Sequence, residues 1–305
     1  MYHFIVNPVA KGGKLKKEWP RLEKLIESKI NAYKVHFTEY HGHATEIVSN
    51  LTVVNEEITI IAVGGDGTMN EVLNGIVNFD TTRVGYIPFG SGMDFARGNG
   101  IPLKPEKALN TIIQGKLKRI KTSKVTGDNG VERRFASNCG MGFDAEVSSA
   151  ASIEKTSLKK LFNKLNLGTL IYVYLVLKHL LTFNRLAIEV VQDGHQRKYN
   201  NAWFITFSNN PYVGGGMMMN PKANPSEKIL DATVAFDLSR GQILRLLPTI
   251  FKGTHINHQG VELLKGNNYQ VNSNRPVEVH VDGEVIGQCT TLSVQLQKEE
   301  ILIFA

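Results

Sequence analysis

The sequence predicts an α/β protein: an N-terminal α/β nucleotide-binding domain with a largely parallel sheet, then a C-terminal antiparallel β-sandwich domain. Two observations carry this. Over the first third of the chain, hydrophobic periods of strand and helix type alternate, as they do along a parallel sheet with right-handed crossovers. After residue 122 short β-rich runs take over, punctuated by Asn-Gly and Asp-Gly pairs. The expected division is 1–122 and 123–289, with about 290–305 returning to the first domain. A chain of 305 residues, 42% hydrophobic and 21% charged, has room for both.

Residues 2–6 read as a strand, and 19–30 as a helix from Leu22, Leu25 and Ile26. Tyr33, Val35 and Phe37 alternate, the period of a strand. Ala44, Ile47, Val48 and Leu51 share one helical face. Residues 58–63 form a continuous apolar run, as in a strand covered on both sides. Met69, Val72, Leu73 and Ile76 predict a helix beginning near Asn70. A strand at 84–87 follows, then a helix over 105–114 framed by Pro105 and Gly115. Further on, Asn129-Gly130, Asp193-Gly194 and Asp282-Gly283 mark turns among strands at 186–191, 203–207, 232–236 and 277–281.

The charges, 35 Lys plus Arg against 28 Asp plus Glu, leave a net +7. That balance suits nucleic acid, an anionic membrane surface, a phosphorylated substrate, or simply a basic soluble protein. No apolar run reaches the roughly 18–20 residues that span a bilayer. The first eight residues have no basic region ahead of an apolar core, so no export signal is expected. Two cysteines, Cys139 and Cys289, are too few for a disulfide framework or a four-cysteine zinc site. The expected compartment is the reducing cytoplasm.

Ligands of parallel sheets bind at the carboxyl ends of strands, and two glycine-rich segments fall there. Gly64-Gly65-Asp66-Gly67-Thr68 joins the buried strand to the next helix. Its glycines let backbone N–H groups approach a phosphate, and the helix N-terminus adds partial positive charge. Asp66 would repel a phosphate, so a metal ion or ribose hydroxyl is expected between them; the plain alternative is a tight turn with Asp as a cap. Pro88-Phe89-Gly90-Ser91-Gly92-Met93-Asp94 ends the next strand similarly, and the pair suggests two walls of one phosphate cleft. A third stretch, Asn7-Pro8-Val9-Ala10-Lys11-Gly12-Gly13-Lys14, offers lysines to polyphosphate charge. The G-x-x-x-x-G-K-[ST] pattern is absent, and G-x-G-x-x-G is missing from the first strand-to-helix turn.

Between about 152 and 181 the β pattern breaks. Leu158, Leu161, Phe162 and Leu165 share a helical face among Lys155, Lys159, Lys160 and Lys164, with Tyr172 and Tyr174 beyond. A basic amphipathic helix of this kind either lies on an anionic membrane or packs on the sandwich as a surface helix. His41 and His43 have no further metal ligands nearby in sequence, and Cys139 reads as a small buried residue.

The ordered set Asn7-Pro8, Gly64-Gly65-Asp66-Gly67-Thr68-Met69-Asn70-Glu71-Val72, Gly90-Ser91-Gly92-Met93-Asp94-Phe95-Ala96-Arg97 and Asp282-Gly283-Glu284 resembles the bacterial diacylglycerol kinase family of lipid kinases. So does Gly214-Gly215-Gly216, with Asn209 before it and Pro221 after it. The resemblance spans essentially the whole chain. It implies ATP in the cleft between the domains and Mg2+-dependent phosphoryl transfer to a lipid hydroxyl, with diacylglycerol the first choice. It places the nucleotide phosphates at Gly64, Gly65, Asp66, Gly67, Thr68, Met69 and Asn70, and the rest of the nucleotide site at Asn7, Pro8, Lys11, Thr38 and Ser91. Glu284 matches the family's general base. Asp66 and Asp94 are expected to hold the catalytic Mg2+. Lys228, Asp231 and Thr233 match a structural Mg2+ site in which two members give backbone carbonyls. Two departures stand out: Met93 where the family has Asn, and Glu227-Lys228 where it has Asp-Gly.

The expected partners are a membrane lipid substrate and an anionic membrane surface met peripherally on its inner, cytoplasmic face; a homodimer is left open. Nucleic acid is not expected, since no aromatic-interleaved basic stripe, helix-turn-helix or zinc module is present. The alternatives are a kinase of another lipid (phosphatidylglycerol, a polyprenol, a sphingoid base), a soluble-substrate kinase like the NAD kinases, and a non-catalytic nucleotide-binding protein.

Overall fold

Four strands, β1 (Tyr2–Val6), β2 (Tyr33–Phe37), β3 (Ile58–Gly64) and β4 (Thr82–Pro88), lie parallel in the spatial order β2-β1-β3-β4. The structure is a computed structural model and describes residues 1–153 and 168–305. Helices α1 (Ala10–Glu27), α2 (His43–Thr52), α3 (Asp66–Gly75), α4 (Asp94–Asn99) and α5 (Pro105–Gln114) alternate with these strands. Phe4, Ile5, Val6, Ile60 and Ile61 have no exposed surface, which is why these strands read as unbroken apolar runs. Two helices start earlier than their apolar period suggests. α1 begins at Ala10 but is kinked at once, with Lys11, Gly12 and Gly13 in left-handed conformations. α3 begins at Asp66 and not near Asn70, so the glycine turn is itself the helix N-terminus.

The second half is antiparallel: β5 (Leu117–Gly127), β6 (Glu132–Phe135), β7 (Asn138–Gly142), β8 (Leu186–Gln192), β9 (His195–Ser208), the short β10 (Tyr212–Val213) and β11 (Met217–Met218), then β12 (Leu230–Phe236), β13 (Val261–Gly266), β14 (Asn268–Val281) and β15 (Glu284–Phe304). The Asp193-Gly194 and Asp282-Gly283 turns have φ of 46° and 88°, and 46° and 82°, the doubly left-handed geometry of two-residue hairpins. Trp203 anchors this core, with Phe143 at 5.5 Å and Phe183 at 5.8 Å between ring centroids.

Among the described residues, three α-helices cover this half: α6 (Phe143–Ile153), α7 (Gly168–Thr182) and α8 (Arg240–Ile250). The last is not among the expected elements, although Ile243, Leu246, Leu247 and Ile250 share one helical face and a capping box joins Ser239 and Gln242. The basic amphipathic stretch at 158–165 lies outside the described residues. Among the described residues, no helix is long and apolar enough to cross a membrane.

The two halves share one sheet. β5 crosses the 122/123 boundary, and β15 pairs antiparallel with β14 and β5 before its end lies parallel to β4, with Leu302 opposite Arg83 and Ile303 opposite Val84. This last strand therefore closes the first core. Ile303 is 1% exposed, and Ile303→Ala is expected to cost about 2–5 kcal/mol. Equilibrium urea unfolding checks this, as a fall in the midpoint.

Candidate active site

The two glycine segments end neighbouring strands and touch. Phe89 N–H donates to Gly64 O at 2.6 Å, and a Cβ on Gly90 would come within 2.9 Å of Gly65 Cα. They stand side by side and do not face each other across a gap. No atom lies within 4 Å of where a Gly67 Cβ would sit, so the first turn of α3 is open to a ligand with its amides free to point at an anion. Asn7 supports this turn through Nδ2, which donates to Thr68 Oγ1 at 3.0 Å. Thr38 N–H donates to Val6 O at 2.9 Å, holding the ends of β1 and β2 together beside it. Pro8 is half-buried, and Lys11 is exposed at φ 52° in the kinked turn that follows β1. Met69 and Asn70, expected among the nucleotide contacts, turn elsewhere: Met69 is in the core at 1% exposure, and Asn70 spends its side chain on the second half of the molecule.

Asp66 caps a helix, though not its own. Its carboxylate accepts from Met93 N–H at 2.7 Å and Phe95 N–H at 3.1 Å, fixing the start of α4. That draws Asp94 alongside. Gly92 sits between the two carboxylates, where a Cβ would lie 3.0 Å from Asp66 Oδ2 and 3.2 Å from Asp94 Oδ2. Asp94 Oδ2 accepts from Gly215 N–H at 2.8 Å, while Oδ1 is buried without a hydrogen-bond partner. Burial pushes the Asp94 carboxyl up to about 6, and the nearby Asp66 charge adds to the rise. Burial likewise raises Asp66, against the pull of its backbone donors. Met93 sits at φ 57°, a left-handed conformation that Asn adopts more cheaply than Met. A divalent cation fits here: the buried Asp94 and the half-buried Asp66 share the site, and Asp94 Oδ1 has an oxygen to give.

Glu284 lies at the junction of the halves and not in the cleft wall. Arg133 Nη2 holds its Oε2 at 2.6 Å, and His41 Nε2 contacts its Oε1. His41 Nδ1 in turn lies 3.3 Å from Glu71 Oε1, and Arg133 Nε donates to Asn70 Oδ1 at 2.9 Å. The predicted base is thus tethered one helical turn along from the glycine loop. Neither Arg133 nor His41 carries a sequence motif that announces this.

Of the expected trio at 228–233, Lys228 directs its ammonium to Glu300, 3.6 Å away, and Thr233 Oγ1 donates to Met219 O, so backbone carbonyls are what these two would offer a cation. Asp231 alone presents a buried carboxylate, with Lys265 Nζ 3.5 Å from Oδ1. Among the described residues no cluster of three His, Cys, Asp or Glu side chains forms a metal site.

Between the halves runs a cleft of about 630 Å3. Asp66, Ser91 and Asp94 line one end, and Asp144, Thr206 and His280 another. The second group escapes the sequence because its members are scattered over α6, β9 and β14.

This fold and cleft define a class: an α/β nucleotide-binding domain fused to a β-sandwich, as in kinases that phosphorylate lipids or NAD. Residues 1–125 match the diacylglycerol kinase catalytic domain, and 138–302 match the YegS C-terminal NAD kinase beta sandwich-like domain. The chain belongs to the diacylglycerol kinase family. It is 30% identical over 226 residues to a diacylglycerol kinase of Mycobacterium tuberculosis, covering 74% of this chain and 70% of that one. A crystal structure of a diacylglycerol kinase from Bacillus anthracis superposes with a TM-score of 0.73 at 18% identity, covering 99% and 96%. An NAD kinase from Archaeoglobus fulgidus, solved in complex with ATP, shares the fold at a TM-score of 0.55 and 11% identity, covering 100% and 94%.

Because burial pushes the folded Asp94 carboxyl from 3.8 up to about 6, stability falls as pH rises from about 4 to 6, and the charged group then costs on the order of 3 kcal/mol. In metal-free buffer at pH 7, Asp94→Asn should therefore raise Tm. Added Mg2+ should raise Tm of the parent protein but not of the variant, as read by differential scanning calorimetry.

Proposed function

We propose that the protein transfers the γ-phosphoryl group of ATP to a lipid hydroxyl, diacylglycerol first, giving phosphatidic acid. The observation that carries this reading is a single cleft lined both by Asp66, Ser91 and Asp94, beside the glycine turn, and by the apolar side chains Met217, Met219 and Phe251. Phosphoryl transfer asks the protein for positioning, charge neutralisation and a proton acceptor. The α3 amides would take the phosphates. Asp94 Oδ1, with Asp66 beside it, would hold Mg2+, which when bound offsets the charge on the phosphate oxygens. The lipid oxygen then attacks the γ-phosphorus, the bond to the ADP oxygen breaks, and the hydroxyl proton passes to a carboxylate. Glu284 takes that proton by its match to the family base, which requires it to leave Arg133 and His41.

Exposed apolar side chains support contact with an anionic bilayer on its cytoplasmic face. Tyr174, Leu177 and Leu181 project from α7, and Leu244 and Phe251 from α8 and its end. Arg240 joins the two helices by donating to Leu180 O at 2.8 Å, and Lys178, Arg245 and Lys252 stand exposed among them. Apolar projections ringed by cations are the chemistry of interfacial binding.

Transfer of labelled phosphate from ATP into diacylglycerol, phosphatidylglycerol, a polyprenol, a sphingoid base and NAD tests the reaction. Mg2+-dependent labelling of diacylglycerol is expected, and labelling of NAD alone overturns the reading. Glu284→Ala should lower the rate at least about a hundredfold; an unchanged rate removes Glu284 as the base. For the membrane face, Leu181→Asp should weaken co-sedimentation with vesicles containing phosphatidylglycerol while leaving transfer to a short-chain soluble lipid intact.

A further inference from the structure

Four buried polar atoms without a hydrogen-bond partner belong to side chains that line the one cleft: Asp94 Oδ1, Asn138 Oδ1, Asp144 Oδ1 and His280 Nδ1. The first has been assigned to the cation. The other three sit together on adjoining elements. Asp144 opens α6 directly after β7, and its Oδ2 accepts from Thr206 Oγ1 at 2.9 Å and from His280 Nε2 at 3.1 Å. His280 on β14 is 2% exposed and lies opposite Gly140 on β7, two residues from Asn138, which is 3% exposed. Gly140 makes the room: a Cβ there would collide with both Asp144 Oδ2 and His280 Nε2.

The chemistry of these atoms is one-sided. Asp144 Oδ1 and Asn138 Oδ1 accept hydrogen bonds. His280 Nε2 faces Asp144 Oδ2, and the tautomer that donates from Nε2 leaves Nδ1 as an acceptor. Buried acceptors left unpaired are costly, so this corner is suited to a ligand that brings O–H donors. A phosphate oxygen there would find no donor and would face the Asp144 carboxylate. Among the described residues that line the cleft there is no Lys or Arg to offset it. Behind the corner, Asp144, Met217 and Met219 also wall an apolar cavity of about 60 Å3 closed by Ile243, Leu246 and Ile250 of α8. Hydroxyls on one side and hydrocarbon on the other describe an amphiphile.

We infer that Asp144, His280 and Asn138 form the acceptor-headgroup site, which takes an uncharged lipid alcohol whose free hydroxyl stands next to its hydrocarbon and disfavours a headgroup already carrying phosphate. The inference rests on the lipid-kinase reading and specifies which lipids that site selects. Asp144 and His280 act by binding the acceptor and not by moving its proton.

The test uses the full chain, dioctanoylglycerol and phosphatidylglycerol, with two readouts: transfer kinetics, and equilibrium binding of radiolabelled dioctanoylglycerol, which needs no turnover. Asp144→Asn is expected to raise KM for dioctanoylglycerol roughly ten- to a hundredfold, as for a lost hydrogen bond to a charged group, with KM for ATP unchanged. Binding should weaken in proportion. His280→Gln, which leaves the carboxylate in place, should do the same to a smaller extent and serves if Asp144→Asn folds poorly. An unchanged KM for dioctanoylglycerol in both variants overturns the assignment, as does an equal rise in both KM values or a parent preference for phosphatidylglycerol. Asp144-dependent binding without transfer would retain the site and remove the kinase reading. Transfer that ignores both substitutions would retain the kinase reading and remove the site. A parent protein that neither binds nor phosphorylates dioctanoylglycerol removes both.

Discussion

The architecture depends on one buried carboxylate. Asp282, at the tip of the β14–β15 hairpin, accepts from Asn70 Nδ2 at 2.7 Å on α3 and from the N–H groups of Ala136, Ser137 and Asn138 at 3.3, 3.0 and 2.9 Å. Burial raises its carboxyl, and these donors pull the other way. A buried charge is tolerable only when its lone pairs are satisfied in this manner. One side chain thereby ties the helix that follows the glycine turn to the β6–β7 corner of the other half. Asn70 completes the tie, with its amide also donating to Arg134 O and its carbonyl accepting from Arg133. If that link fails, the cleft loses its shape.

The cleft inherits its polarity from this junction. Asn138, held by Asp282, opens the strand that leads to Asp144. Asp66, at the start of the same helix as Asn70, organises the opposite end by capping α4. Two carboxylates are thereby brought close together in a buried setting, and Gly215, from a run of three left-handed glycines, supplies an N–H to one of them. Like charges held together without a cation are strained electrostatically, which is the condition under which a divalent ion binds well. The other end gathers acceptors beside hydrocarbon. The same cleft is therefore lined by carboxylates, buried acceptors and apolar side chains on elements drawn from both halves.

How much of this could be read beforehand follows from what each feature depends on. The alternation of strands and helices, the two glycine turns and the Asp-Gly hairpins are matters of local backbone conformation and period, and they stand where the residues indicate. The helix at 240–250 was also written locally, in the Ser239–Gln242 box and in the shared face of Ile243, Leu246, Leu247 and Ile250. Asp66 reads equally as a ligand holder and as a cap; in the fold it caps the neighbouring helix, a partner that no turn rule names.

The chain on its own determined the α/β-then-β order, the placement of the glycine turns at strand ends, and the hairpins, because each is settled by side chains within a few residues of one another. Tertiary structure alone decided the partners: Asn70 with Asp282 across 212 positions, Arg133 with Glu284 across 151, and Asp144 with His280 across 136. It also put Met69 in the core. Which acceptor meets which donor depends on how whole elements pack, and packing is a property of pairs of surfaces that a single strand or turn does not contain.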